Sequence, residues 1–130
     1  MIRVSYQCRE EGPELINHEQ VATSYQDVCE VVDNFPWVKE AELSEKYSEG
    51  GALFFTLGEP GGKHACFQLT PTGIAETLLD LDIVLKTGVL GLFGRRAVNK
   101  HFDVVSVEQA KIQLKELFEH SVDSLYAKYQ

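Results

Sequence analysis

The sequence predicts an α+β fold: a two-layer domain with a mostly antiparallel sheet of about five to six strands and two helices, at about 18–35 and 107–128, on one face. Three observations predict it. Apolar and polar residues alternate in Ile2–Cys8 and across a glycine-punctuated hairpin at Gly50–Leu69. Two longer stretches space their apolar residues by three and four, as a helix buried along one stripe requires. The connections after the first helix are of hairpin length, which favours antiparallel pairing. At 130 residues the chain reads as a single domain, 1–130.

In Ile2–Cys8, Ile2, Val4, Tyr6 and Cys8 alternate with Arg3, Ser5 and Gln7, the pattern of a half-buried strand. Arg9–Glu14 is charged and contains Gly12-Pro13, so it reads as a loop. Asn17 can cap the first helix, with Gln20 at the capping-box position. Val21, Tyr25, Val28, Val32 and Phe35 then form its buried face, and Pro36 ends it. Trp37–Tyr47 reads as a strand. Trp37, Ala41, Leu43 and Tyr47 share one face, and Glu40, Glu42, Ser44 and Lys46 form a solvated acidic face opposite. Its Glu, Ala, Leu and Lys residues leave a helix as the alternative.

The Gly50–Leu69 hairpin reads as the centre of the sheet. Leu53, Phe55 and Leu57 share a face, yet Phe54 lies opposite, so the outer face calls for partial cover by the chain or by a partner. Pro60, Gly61 and Gly62 make the connector non-helical. In the second strand Ala65, Phe67 and Leu69 oppose His64, Cys66 and Gln68. Thr70–Gly73 reads as a turn. Ile74–Lys86 fits either period, and the alternation of Asp-Leu-Asp-Ile-Val-Leu selects a strand for Leu79–Lys86. Phe102–Val105 reads as a short strand. Ser106, with Gln109, then caps a last helix whose stripe is Val107, Ala110, Leu114, Leu117, Phe118, Val122, Leu125 and Tyr129.

The net charge of −8 disfavours nucleic acid as a partner and suits a basic protein. Met1–Glu14 has no apolar signal-peptide region, and no run approaches the roughly 20 apolar residues of a membrane span. Cys8, Cys29 and Cys66 are odd in number and show no Cys-x-x-Cys, which suits free thiols in a reducing cytoplasm. Cys29 is expected to be buried as a small apolar residue.

Chemistry is thinly represented. His64 and Cys66 share a strand face, but no third group marks them as a catalytic pair. His18, His64, His101 and His120 lack zinc spacing, so neither metal nor cofactor is expected. Asp80 and Asp82 project together, two carboxylates only. Gly88, Gly91 and Gly94 precede Arg95-Arg96, and Lys86–His101 has four cations and no acid. That segment suits an anion pocket, for a small ligand or an enzyme's substrate. It also suits a protruding loop whose Leu92, Phe93, Arg95 and Arg96 meet a partner or a homodimer mate and, equally with that loop, a buried connection with arginines at its rim.

The size, the acidity, the GGALFFTLGEPGGKHACFQL hairpin and the Val-Ser-Val-Glu-Gln-Ala start of the last helix resemble, in kind, the immunity proteins that neutralise bacterial polymorphic or contact-dependent toxins. The resemblance implies a non-catalytic, cytoplasmic inhibitor. Its acidic face, Glu40, Glu42 and Glu45 or Asp80 and Asp82, would cover the basic cleft of a toxic nuclease. Trp37 or Tyr47 would anchor the complex. Binding of a small anion at Gly88–His101, and a homo-oligomeric structural role, are the alternatives.

Overall fold

The structure, a computed structural model, describes residues 1–10, 12–48, 50–73, 75–86 and 96–130. Six strands form one sheet: β1 (Ile2–Cys8), β2 (Ile16–Ala22), β3 (Leu53–Gly58), β4 (His64–Gly73), β5 (Glu76–Lys86) and β6 (Arg96–Ser106). Their spatial order is β2-β1-β3-β4-β5-β6, and every neighbouring pair is antiparallel. The helices are α1 (Tyr25–Asn34), α2 (Trp37–Tyr47), α3 (Val107–Leu114), α4 (Glu116–Glu119) and α5 (Val122–Tyr129). The fold is α+β, and the β3–β4 hairpin lies at the sheet's centre as its apolar pattern predicts.

One sheet face is buried. Ile2, Val4, Phe55, Phe67, Leu81 and Ile83 project into a core shared with Val28 and Val32 of α1, Ala110 and Leu114 of α3, and Leu125 of α5. Burying such side chains stabilises by about 1.5–3 kcal/mol each, which is what ties the helices to the sheet.

Five local assignments differ from the sequence reading. Residues 16–22 are not the start of a helix. They pair with β1 along its whole length, from Ile2↔Ala22 to Cys8↔Ile16, and a full ladder outweighs a weak helical period. Helix α1 therefore starts at Tyr25. Its cap is Ser24, whose Oγ accepts from the Asp27 N–H at 3.2 Å, while Asp27 accepts in return from the Ser24 N–H. Val21, expected on the buried helix face, is 51% exposed on β2.

Trp37–Tyr47 is a helix, the alternative that its composition left open. Residue Ser48, at φ +58°, ends it in the left-handed region. Thr70–Gly73 continues β4 rather than turning. Pro71 pairs with Thr77, the register slips between Pro71 and Gly73, and the chain reverses at Ala75, at φ +56°. The last helix is broken into three. Lys115 separates α3 from α4, and Ser121 caps α5 by accepting from the Ser124 N–H at 3.1 Å.

Strand β6 is longer than Phe102–Val105. It pairs with β5 from Lys86↔Arg96 to Glu76↔Ser106. Between Asp80↔His101 and Leu78↔Val104 it holds one more residue than β5, and Asp103 there takes φ +60°.

Candidate functional site

Two features carry side chains arranged for binding. The first is a cavity of about 490 Å³ where the β1–β2 pair meets α1, lined by Tyr6, Cys8, Glu10, His18, Gln20 and Glu30 among others. The β1–β2 register builds it. His18 stands opposite Tyr6, and Cys8 stands opposite Ile16, so Cys8 and His18 are diagonal neighbours on one face. Glu10 follows Cys8 by two residues. One donor atom from each of Cys8, Glu10 and His18 lies within 4.8 Å of the others.

The parts are held from behind. The His18 ring stacks on Tyr6, with centroids 4.8 Å apart and planes 15° apart. Its Nε2 lies 3.1 Å from Glu10 Oε1 yet makes no aligned hydrogen bond, although the atom itself is enclosed. Lys39 Nζ donates to the backbone carbonyls of Arg9 (2.9 Å) and Glu10 (3.3 Å). Burial, then the nearby carboxylates of Glu40 and Glu10, push the Cys8 thiol above its ordinary pKa.

Between Cys8 and Glu10 sits Arg9, in the loop after β1 and buried. Its Nη1 lies 3.1 Å from Glu40 Oε2, and its backbone N–H donates to Glu40 Oε1. Glu40 is thus fully buried, which corrects its placement on a solvated acidic face. A helix of 3.6-residue period turns Glu40 inward, where a strand would have turned it out with Glu42.

The second feature is the outer face of the sheet. The registers align Glu19, Ser5, Phe54, Gln68, Asp80 and His101 in one row across all six strands. Val21, Arg3, Thr56, Cys66, Asp82 and Asn99 form the next. None of these twelve residues is fully buried, and Ser5, Phe54, Thr56, Cys66, Gln68 and Asp80 are half-buried. The buried residues of α1, α3 and α5 all join the opposite face. Six strands at about 4.8 Å spacing make this face about 24 Å wide.

Asp80 and Asp82 do project together, and each has a partner on β6. His101 Nδ1 pairs with the Asp80 carboxylate, and Asn99 Nδ2 donates to Asp82. Glu76, exposed, precedes them on the same side of β5. Burial, more than any other influence, pushes the Cys66 thiol pKa up, and Asp82 adds to this. His64 shares the Cys66 face, and its Nδ1 lies 2.8 Å from the Gly62 carbonyl.

The other expected residues are scattered. Trp37 is half-buried, donates from Nε1 to the Val32 carbonyl at 2.8 Å, and packs edge-on against Phe35. Glu42 and Glu45 are exposed on α2. Tyr47 is 41% exposed, and its ring has Arg9 Cζ 5.2 Å from the centroid. Arg96 is exposed at the start of β6, while Leu92, Phe93 and Arg95 lie outside the described residues. Cys29, expected to be buried, is half-buried, and Cys8 is the buried cysteine.

The Cys8–Glu10–His18 cluster escapes sequence reading because its spacing matches no metal motif and because His18 reads as part of a helix. The Ser24/Asp27 capping signal, which starts the helix only after His18, is the local clue that points to it. No protein family, curated protein or solved structure matches this chain.

Proposed function

We infer that this chain is a protein-binding module whose outer sheet face covers a basic partner. One observation carries the reading: two side-chain rows cross all six strands without a fully buried residue, and they carry the carboxylates Glu19, Asp80 and Asp82 against the guanidinium of Arg3. Glu19, Glu76, Asp80 and Asp82 face outward with Arg3 as the fixed cation among them. Phe54, Val21 and Leu78 supply apolar contact between the charges, with Val21 51% and Leu78 38% exposed. An acidic surface with a half-buried aromatic near its middle suits fast, oriented capture of a cationic surface. The kind-level resemblance to toxin-immunity proteins fits this arrangement and names the partner class, a basic nuclease toxin blocked by steric cover. A cytoplasmic bacterial setting belongs to the same reading.

The experiment is capture from the source lysate on the immobilised chain, beside D80K/D82K and E42K/E45K variants. A basic protein retained by the native chain and by E42K/E45K, but lost by D80K/D82K, is expected. Adding the native chain should then suppress that protein's nuclease activity. Capture that ignores the sheet-face substitutions, or a captured protein whose activity is unchanged, removes the reading.

A further inference from the structure

We propose that Cys8, Glu10 and His18 form a divalent-metal site of the zinc type at the cavity between β1–β2 and α1.

The three donors differ in chemistry, and they converge. Thiolate, imidazole and carboxylate together are the ligand set that a borderline ion such as Zn²⁺ accepts. Their donor atoms already lie within 4.8 Å of one another. Tetrahedral zinc, with bonds of about 2.0–2.3 Å, needs donors about 3.3–3.6 Å apart, so rotamer adjustments of about 1 Å close the shell. A thiolate and a carboxylate would balance the ion's two positive charges.

Each donor is anchored from outside the cluster. The Arg9–Glu40 pair fixes the backbone between Cys8 and Glu10. Lys39 holds the Arg9 and Glu10 carbonyls. The Tyr6 ring sets the plane of His18. Supports of this kind orient metal ligands and tune affinity. The His18 Nε2, enclosed and without an aligned hydrogen bond, is a donor atom a metal would satisfy. Three protein ligands leave a fourth position for water, and Gln20 and Glu30 line the same cavity. This site is separate from the sheet face and does not depend on the partner proposed for it.

The test is titration of the reduced, metal-free chain with Co²⁺, then displacement by Zn²⁺. One equivalent should bind, with tetrahedral visible bands and a thiolate-to-cobalt charge-transfer band, and Zn²⁺ should abolish both. C8S should remove the charge-transfer band. H18Q and E10Q should each weaken binding by about tenfold or more. C29S and C66S should leave the spectrum unchanged. Circular dichroism of each variant separates lost ligation from lost folding, and if C8S does not fold, H18Q and E10Q decide. No charge-transfer band, a band that survives C8S, or an affinity indifferent to both H18Q and E10Q overturns the proposal.

Discussion

Arg9 Nη1 and Glu40 Oε2 stand 3.1 Å apart with their side chains 1% and 0% exposed, a charge pair removed from water. Removing one member takes from the other the opposite charge that offsets its loss of water. E40A should therefore cost about 3–5 kcal/mol in urea unfolding. A double R9M/E40L chain should lose less than E40A, because neither charge then has to be taken out of water. An E40A chain as stable as wild type would refute this account of the pair.

The start of α1 depends on a reciprocal cap. S24A should cost about 1 kcal/mol, read as a shift in the unfolding midpoint. Asp27 is held below the usual carboxylate range, first by the Thr23 backbone N–H and then by the Thr23 hydroxyl. Its folded pKa lies below its unfolded one. The stabilisation is thus complete above about pH 4 and fades as pH falls through the folded value. Melting temperatures taken from pH 7 downward should fall more steeply for wild type than for D27N below that point. Parallel curves would show that the cap contributes no acid sensitivity.

Gly51 touches the backbone of β1. A Cβ there would lie 1.9 Å from the Gln7 carbonyl oxygen, beside the hydrogen bond from the Gln7 N–H to Ala52 O. G51A should cost at least about 1–3 kcal/mol, since the obstacle is backbone and cannot swing aside. G61A meets nothing within 4 Å and should stay within about 0.5 kcal/mol of wild type. Equal stability of the two variants would contradict the close β1 approach.

Cys66 gives a chemical readout of the outer face. Its thiol is pushed up by burial, so its thiolate is scarce at neutral pH. Iodoacetamide labelling at pH 7, followed by peptide mass spectrometry, should be slower at Cys66 than for free cysteine. The rate should climb as pH rises past the ordinary thiol value of about 8.5. Faster labelling than free cysteine at pH 7 would show that the thiol is not desolvated.

The central hairpin was legible because its information is local: alternation in Ala65–Leu69 and a Pro-Gly-Gly connector admit little else. Strand β5 was legible in part: its residues fit a helical period too, and the Asp-Leu-Asp-Ile-Val-Leu alternation placed its second half but not its start at Glu76. Residues 16–22 were not, because Val21, Tyr25 and Val28 mimic a helix period across what is a strand, a cap and a helix. That one misassignment hid the Cys8–His18 neighbourhood, which exists only once β2 lies against β1. Glu40 was hidden differently. A carboxylate on a helix is expected in water, and only the fold brings Arg9, thirty-one positions away, to meet it. The open face was visible as a puzzle, Phe54 pointing away from the core, and pairing turned it into a surface.

The extra residue in β6 reaches beyond its own pairing. An outermost strand offers its free backbone edge to any extended chain, and a flat edge invites strand-by-strand growth into fibres. Asp103, in its left-handed conformation, bends that edge, and exposed Lys100 places side-chain charge beside the bend. The bend and the charge thus make this margin of the sheet a poor template for a second copy of the strand, whatever the face beside it does.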